Sequence, residues 1–284
     1  MKYPKLILIS FLLLLVTAIF AQKKEARYLG KTTFPFGVVE RIHSDELNEE
    51  RILNIYLPQG YDPDSLSTYP VIYVLDGSEN EDFPHIAGLA QFMNMYELLP
   101  KSIVVGIANV DRYRDFTYPS HSKSDIKAIP TSGGSPQFIQ FMKKEVLPFI
   151  RKNYKTNGHQ TIIGQSLGGL LTTEILFKYP NMFDDYIIVS PSLWWDKQKM
   201  VKKADKYLSG NLKTPKRVFV SLGKEHPTMH KVANKLVEAL NEVEQKGMKI
   251  YYEPILTENH ATILHKAVYL AFEKFYTTEK VEQK

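Results

Sequence analysis

Gly164-Gln165-Ser166-Leu167-Gly168 fits the pattern G-x-S-x-G, and its flanks decide what the pattern can do. TIIGQS reads as a short strand running into it, and LGGLLTTEILFKYP reads as the helix that follows. Strand, tight turn and helix around a serine make a nucleophile elbow. Gly164 and Gly168 let the chain through the turn while Ser166 projects from the strand end. The N-terminus of the next helix, with the N–H of Leu167, can stabilise negative charge on a substrate oxygen. Read more plainly, the same residues make a Gly-rich turn whose serine only caps a helix.

A serine hydroxyl needs a base to take its proton and an acid to orient that base. On an elbow these follow in the order Ser, Asp/Glu, His at the ends of later strands. KRVFVSLGKEHP is a strand ending at Gly223, with Glu225 and His226 just beyond; KIYYEPILTENHATI is a strand ending in a polar loop that presents His260. The spacing therefore predicts Ser166 as nucleophile, Glu225 as orienting acid and His260 as general base. Asp196 and Glu258 are the alternative acids, and His265 is the other histidine nearby, inside a helical stretch. The second oxyanion donor is expected in the turn Asp76-Gly77-Ser78, at the backbone N–H of Ser78, although Asp-Gly is also an ordinary β-turn pair.

The elements that must carry these residues alternate. Two extended segments, GVVERIHSDEL and ERILNIYLP, precede VIYVLDG, a continuous apolar run of the buried parallel-strand type. A helix near Ala87–Leu98, the strand SIVVGIANV and a long polar loop from Asp111 to Ser135 follow. PQFIQFMKKEVLPFIRKNY reads as one helix with Pro136 near its start. DYIIVS is a further strand, and an amphipathic helix is expected from about Met229 to Lys246. Strands alternating with helices predict an α/β fold: a single domain with a mostly parallel sheet and helices on both faces.

Composition narrows the chemistry. The 284 residues are 44% hydrophobic and 24% charged, with no cysteine and a formal charge of +5. A cysteine nucleophile and every Cys-ligated metal site are excluded, and no Lys/Arg run suggests a nucleic-acid groove. His226 and His230 stand four apart, but neither zinc-protease pattern surrounds them, so no metal is expected. MKYPK followed by LILISFLLLLVTAIFA is a secretory pattern. Residues 1–21 are expected to be a signal peptide cleaved after Ala21, leaving a domain over 22–284, periplasmic or secreted and without a stable membrane insertion.

VLDGS, IANVDRYRDFTYP, IIGQSLGGL, SPSLWWD, LGKEHP and ENHATI together resemble the esterase-D-like family of α/β-hydrolases. DRYRD with SPSLWW looks closest to its siderophore trilactone esterase branch; feruloyl and acetylxylan esterases are in the same family. The resemblance implies a cofactor-free serine esterase acting on a small-molecule or glycan-linked ester. Transfer of the acyl group to an alcohol and a hydrolase-shaped binding module without catalysis are the other readings. Arg112 and Arg114 follow a strand end on the ligand edge; they are expected either to hold an anionic substrate group or to pair with Asp111 or Asp115. Trp194 and Trp195 follow the strand DYIIVS, where one could stack on an aromatic or sugar ring and at least one belongs to the core.

Overall fold

The computed structural model describes residues 26–207, 214–242 and 247–282. The expected signal peptide lies outside the described residues. From Phe36 onward the chain forms one compact unit, built on a single eight-stranded sheet in the order β1-β2-β4-β3-β5-β6-β7-β8. The strands are β1 (Val38–Ser44), β2 (Glu49–Tyr56), β3 (Tyr69–Val74), β4 (Ile103–Ile107), β5 (Thr156–Gln165), β6 (Asp185–Val189), β7 (Lys216–Ser221) and β8 (Met248–Tyr252). β1 and β2 run antiparallel to each other, and β2 is antiparallel to β4. From β4 to β8 every pairing is parallel.

Every residue of β3, β4 and β6 is buried, as continuous apolar runs require when both faces of a parallel sheet are covered. The two-residue period of a strand divides them between two cores. Val71, Tyr73 and Leu75 join the cluster on one face, and Ile72 and Val74 join the cluster on the other. The helices Asp82–Met95 and Ile263–Glu282 cover the second face with Phe83, Ile86, Met93, Ile263 and Val268. The first is covered by Leu167–Lys178 and by Pro227–Glu242, whose Val232, Leu236 and Leu240 lie on one stripe.

Three elements differ from expectation. The first helix starts at Asp82 rather than near Ala87, because Pro84 falls in the first turn, where a missing N–H costs no intrahelical bond. The helix expected from Pro136 to Tyr154 contains a π-helical turn at Met142–Val146 between α-helical segments Ser135–Phe141 and Leu147–Asn153. Pro148, which has no N–H to give to the preceding turn, accounts for the widened ladder. The stretch expected as a polar loop from Asp111 to Ser135 contains short helices at Arg112–Asp115 and Lys123–Ala128, and it buries Phe116, Thr117 and Tyr118. It is anchored to β2 by Arg51, whose fully buried guanidinium lies 2.8 Å from the equally buried Asp115 and over the rings of Phe138 and Phe141. Among the described residues no helix is long and apolar enough to cross a membrane.

Candidate active site

Ser166 stands between β5 and the helix Leu167–Lys178 with φ 58° and ψ −116°, a conformation that costs a non-glycine residue about 1–3 kcal/mol and survives only where the surroundings hold it. They do so through backbone bonds. The N–H of Ser166 reaches Val189 O at 3.0 Å, and its C=O accepts from Leu170 and Ser192, both at 3.0 Å.

Gly164 is indispensable to that turn. A Cβ there would lie 2.3 Å from Gly168 O and 2.4 Å from Thr172 Oγ1. Gly168 is less constrained than the elbow pattern implies, since a Cβ would find its nearest neighbour at 3.4 Å. The second close approach belongs to Gly169, where it would meet Pro191 Cα and Val189 O at 3.0 Å. Gly164→Ala is therefore expected to destabilise the protein by about 1–3 kcal/mol or more, and Gly168→Ala by clearly less. Urea unfolding midpoints of the two variants check this order.

The structure brings His260 and Glu225 together: His260 Nδ1 lies 3.1 Å from Glu225 Oε2. The Glu225 side chain is 4% exposed. Its other oxygen accepts from the Ser190 hydroxyl and, at 3.3 Å, from the N–H of Gly223. Burial pushes the Glu225 carboxyl up, but the hydrogen bonds from His260 and Ser190 outweigh it and hold the group below the ordinary carboxylate range. An ionised acceptor on Nδ1 fixes the imidazole so that Nε2 is the free basic nitrogen. The loops bearing the two residues are stitched together, with Lys224 N–H donating to Glu258 O at 2.6 Å. Gln165, immediately before Ser166, donates its side-chain amide to His260 O. Ser166, Glu225 and His260 line one cleft of about 530 Å³ with Ser192, Trp194, Lys224, His226 and Met229.

The alternative acids are engaged elsewhere. Asp196 accepts from His121 N–H at 2.8 Å, and Glu258 accepts from the Thr262 hydroxyl at 2.8 Å. His265 faces His85 edge to face, ring centroids 5.4 Å apart.

The two oxyanion candidates differ. Leu167 is the first residue of its helix, so its N–H has no acceptor within the helix. The N–H of Ser78 instead faces Glu81 Oε2 at 3.3 Å, so a substrate oxygen would have to displace that carboxylate.

Both arginines pair inward. Arg112 forms a two-pronged bond to Asp76 at 2.6 and 2.9 Å, and its Nη2 also reaches Gln165 O at 3.5 Å. Arg114 binds Glu49 at 2.6 Å and Asp115 at 2.7 Å. Of the expected partners Asp111 and Asp115, only Asp115 takes a guanidinium, because Asp111 caps the short helix through Arg114 N–H. Neither arginine is among the residues lining the cleft. The tryptophans divide: Trp195 is fully buried and Trp194 is 40% exposed, forming part of the cleft wall.

Sequence reasoning missed Ser190, Ser192 and Gln165. Ser190 has φ 45° and is fully buried. Ser192 Oγ lies 3.3 Å from Ser166 Oγ. The only signal was their place, next to the ends of β6 and β5.

The family model described as "Esterase: Putative esterase" matches residues 44–254. The chain belongs to that family. It is 29% identical over 240 residues to the ferri-bacillibactin esterase BesA of Bacillus subtilis, spanning 76% of this chain and 82% of that one. Among solved structures, an IroE-like serine hydrolase from Shewanella oneidensis superposes with a TM-score of 0.76 at 27% identity, covering 85% of this chain and 80% of the other. The BES protein from Bacillus cereus gives 0.75 at 28% identity, covering 88% and 98%. The fold is that of the α/β-hydrolases, and the family member described here is a carboxylic ester hydrolase.

Proposed function

We propose that this esterase is exported and hydrolyses siderophore esters of the catecholate trilactone type through Ser166, His260 and Glu225. The observation that carries the reading is the 3.1 Å bond from His260 Nδ1 to a buried, ionised Glu225 in the cleft that also holds Ser166. His260 takes the Ser166 proton as Oγ attacks the ester carbonyl, forming the tetrahedral adduct. The adduct's oxyanion rests on the N–H of Leu167 and on that of Ser78 once Glu81 gives way. His260 next protonates the leaving alcohol, and it then activates a water that releases the acid and regenerates the serine. The chemistry uses no cofactor.

The substrate class is supported by the ferri-bacillibactin esterase relative and by the cleft itself. Trp194 offers an aromatic face, while Lys224 and His226 supply cationic or hydrogen-bonding edges suited to catecholate oxygens. Residues 1–21 would carry the protein out of the cell.

Initial rates on a ferric catecholate trilactone and on a feruloylated oligosaccharide separate this substrate from the plant-polysaccharide alternative. The trilactone is expected to be turned over at least about tenfold faster in kcat/KM. A preference for the oligosaccharide would move the enzyme to the carbohydrate esterases, and negligible rates on both would overturn either choice.

A further inference from the structure

Asp196, Lys197 and Gln198 form a left-handed turn, with φ of 47°, 52° and 65°. Such residues each cost about 1–2 kcal/mol and rarely occur in succession. The turn begins two residues after Trp194, the aromatic wall of the cleft, and one after Trp195, which is fully buried.

Segment 118–125 clamps this turn. Asp196 Oδ1 accepts from His121 N–H at 2.8 Å, and Oδ2 lies 3.2 Å from His121 Nδ1. The N–H of Asp196 donates to Asp125 Oδ2 at 2.9 Å, which also accepts the Ser120 hydroxyl at 2.9 Å. One residue earlier, the Trp195 indole N–H donates to Tyr118 O at 2.8 Å. The Asp196 side chain is 3% exposed, so these bonds form largely away from competing water. Trp194 meets Trp195 at 67° with centroids 6.1 Å apart. Trp194 is thus linked, through its contact with Trp195 and the turn that follows, to residues that do not line the cleft.

We propose that Asp196 is a specificity-determining positioning residue. Its carboxylate locks the left-handed turn onto segment 118–125 and so holds Trp194 as a rigid face for an aromatic group of the substrate. This inference rests on the esterase reading and deepens it. The 118–125 segment would act from behind the cleft, since none of its residues lines it. A rigid ring binds more tightly than a mobile one because its ordering cost is met before the substrate arrives.

The test uses Asp196→Ala and Asp196→Asn in the full chain, with thermal melting to establish that each folds. Two methyl esters serve as probes, methyl ferulate with an aromatic acyl group and methyl butyrate without one, followed by pH-stat titration. Acrylamide quenching supplies a readout independent of activity. The chain has two tryptophans, and with Trp195 fully buried the accessible emission reports Trp194. Asp196→Ala is expected to raise KM for methyl ferulate by about three- to tenfold, in line with the loss of an aromatic contact. Methyl butyrate kinetics should stay within about twofold, and the quenching constant should rise. Asp196→Asn, which keeps some of the acceptors, should fall between.

An equal loss on both esters would show a merely structural role and overturn the proposal. Unchanged quenching would overturn it as well. If the wild type cleaves neither methyl ester, the quenching comparison alone decides whether Asp196 holds Trp194.

Discussion

Ser166→Ala is expected to lower kcat/KM for p-nitrophenyl acetate by a factor of about a thousand or more. The size follows from what is removed. Ser166 Oγ is the atom placed at the strained strand–helix corner, in the cleft shared with His260 and Glu225. No other nucleophile in the cleft has the same position. Ser192 is the candidate to watch, since its hydroxyl is 3.3 Å from that of Ser166. Unlike Ser166, it does not stand at the N-terminus of the helix Leu167–Lys178. The residual rate of the variant should therefore match that of Ser166→Ala/Ser192→Ala within about twofold. A fluorophosphonate probe should label the wild type at Ser166 and leave Ser166→Ala unlabelled. Equal activity in wild type and Ser166→Ala would refute the elbow assignment.

Glu225→Gln should give the second large effect, a fall in kcat of about 10²–10⁴ with little change in KM. The amide preserves the shape but offers His260 Nδ1 an uncharged partner, which can present its N–H₂ and favour the wrong tautomer. If Ser166, His260 and Glu225 act as one triad, as proposed, the double variant Ser166→Ala/Glu225→Gln should be no slower than Ser166→Ala alone. The substitution should also change the acid limb of stability. The Glu225 carboxyl is held below its ordinary value in the folded state, so the unfolded chain binds its proton first as pH falls. Its contribution is thus present above the unfolded value of about 4.3 and is lost as pH drops through the lower folded value. Urea midpoints from pH 7 downward should fall less steeply for Glu225→Gln than for the wild type. Parallel slopes would mean that Glu225 is not selectively stabilised as an anion.

The parts of the molecule legible in the sequence are those set by near neighbours in the chain. A buried parallel strand announces itself by an unbroken apolar run, and β3, β4 and β6 do so. The elbow needs a small residue where the chain doubles back, and Gly164 is such a residue on local geometry alone. The order Ser166, Glu225, His260 could be read because each residue follows the end of a strand, and parallel strands deliver their C-terminal ends to one edge. The π turn before Pro148 is also local in origin, but helical spacing does not reveal it.

What the tertiary structure alone decided are choices between partners distant in the chain. Arg112 and Arg114 could face substrate or carboxylates by sequence; Asp76 and Glu49, from other strands and turns, claim them. Trp194 and Trp195 are identical neighbours, yet one enters the core and the other the cleft. Both precede a left-handed turn held by a segment more than seventy residues earlier. Residue type and spacing encode what a side chain can do and where the backbone can turn. Which of several equally suitable charges or cavities meets it depends on how the strands pack in space, because burial and pairing energies arise only once both partners have left water.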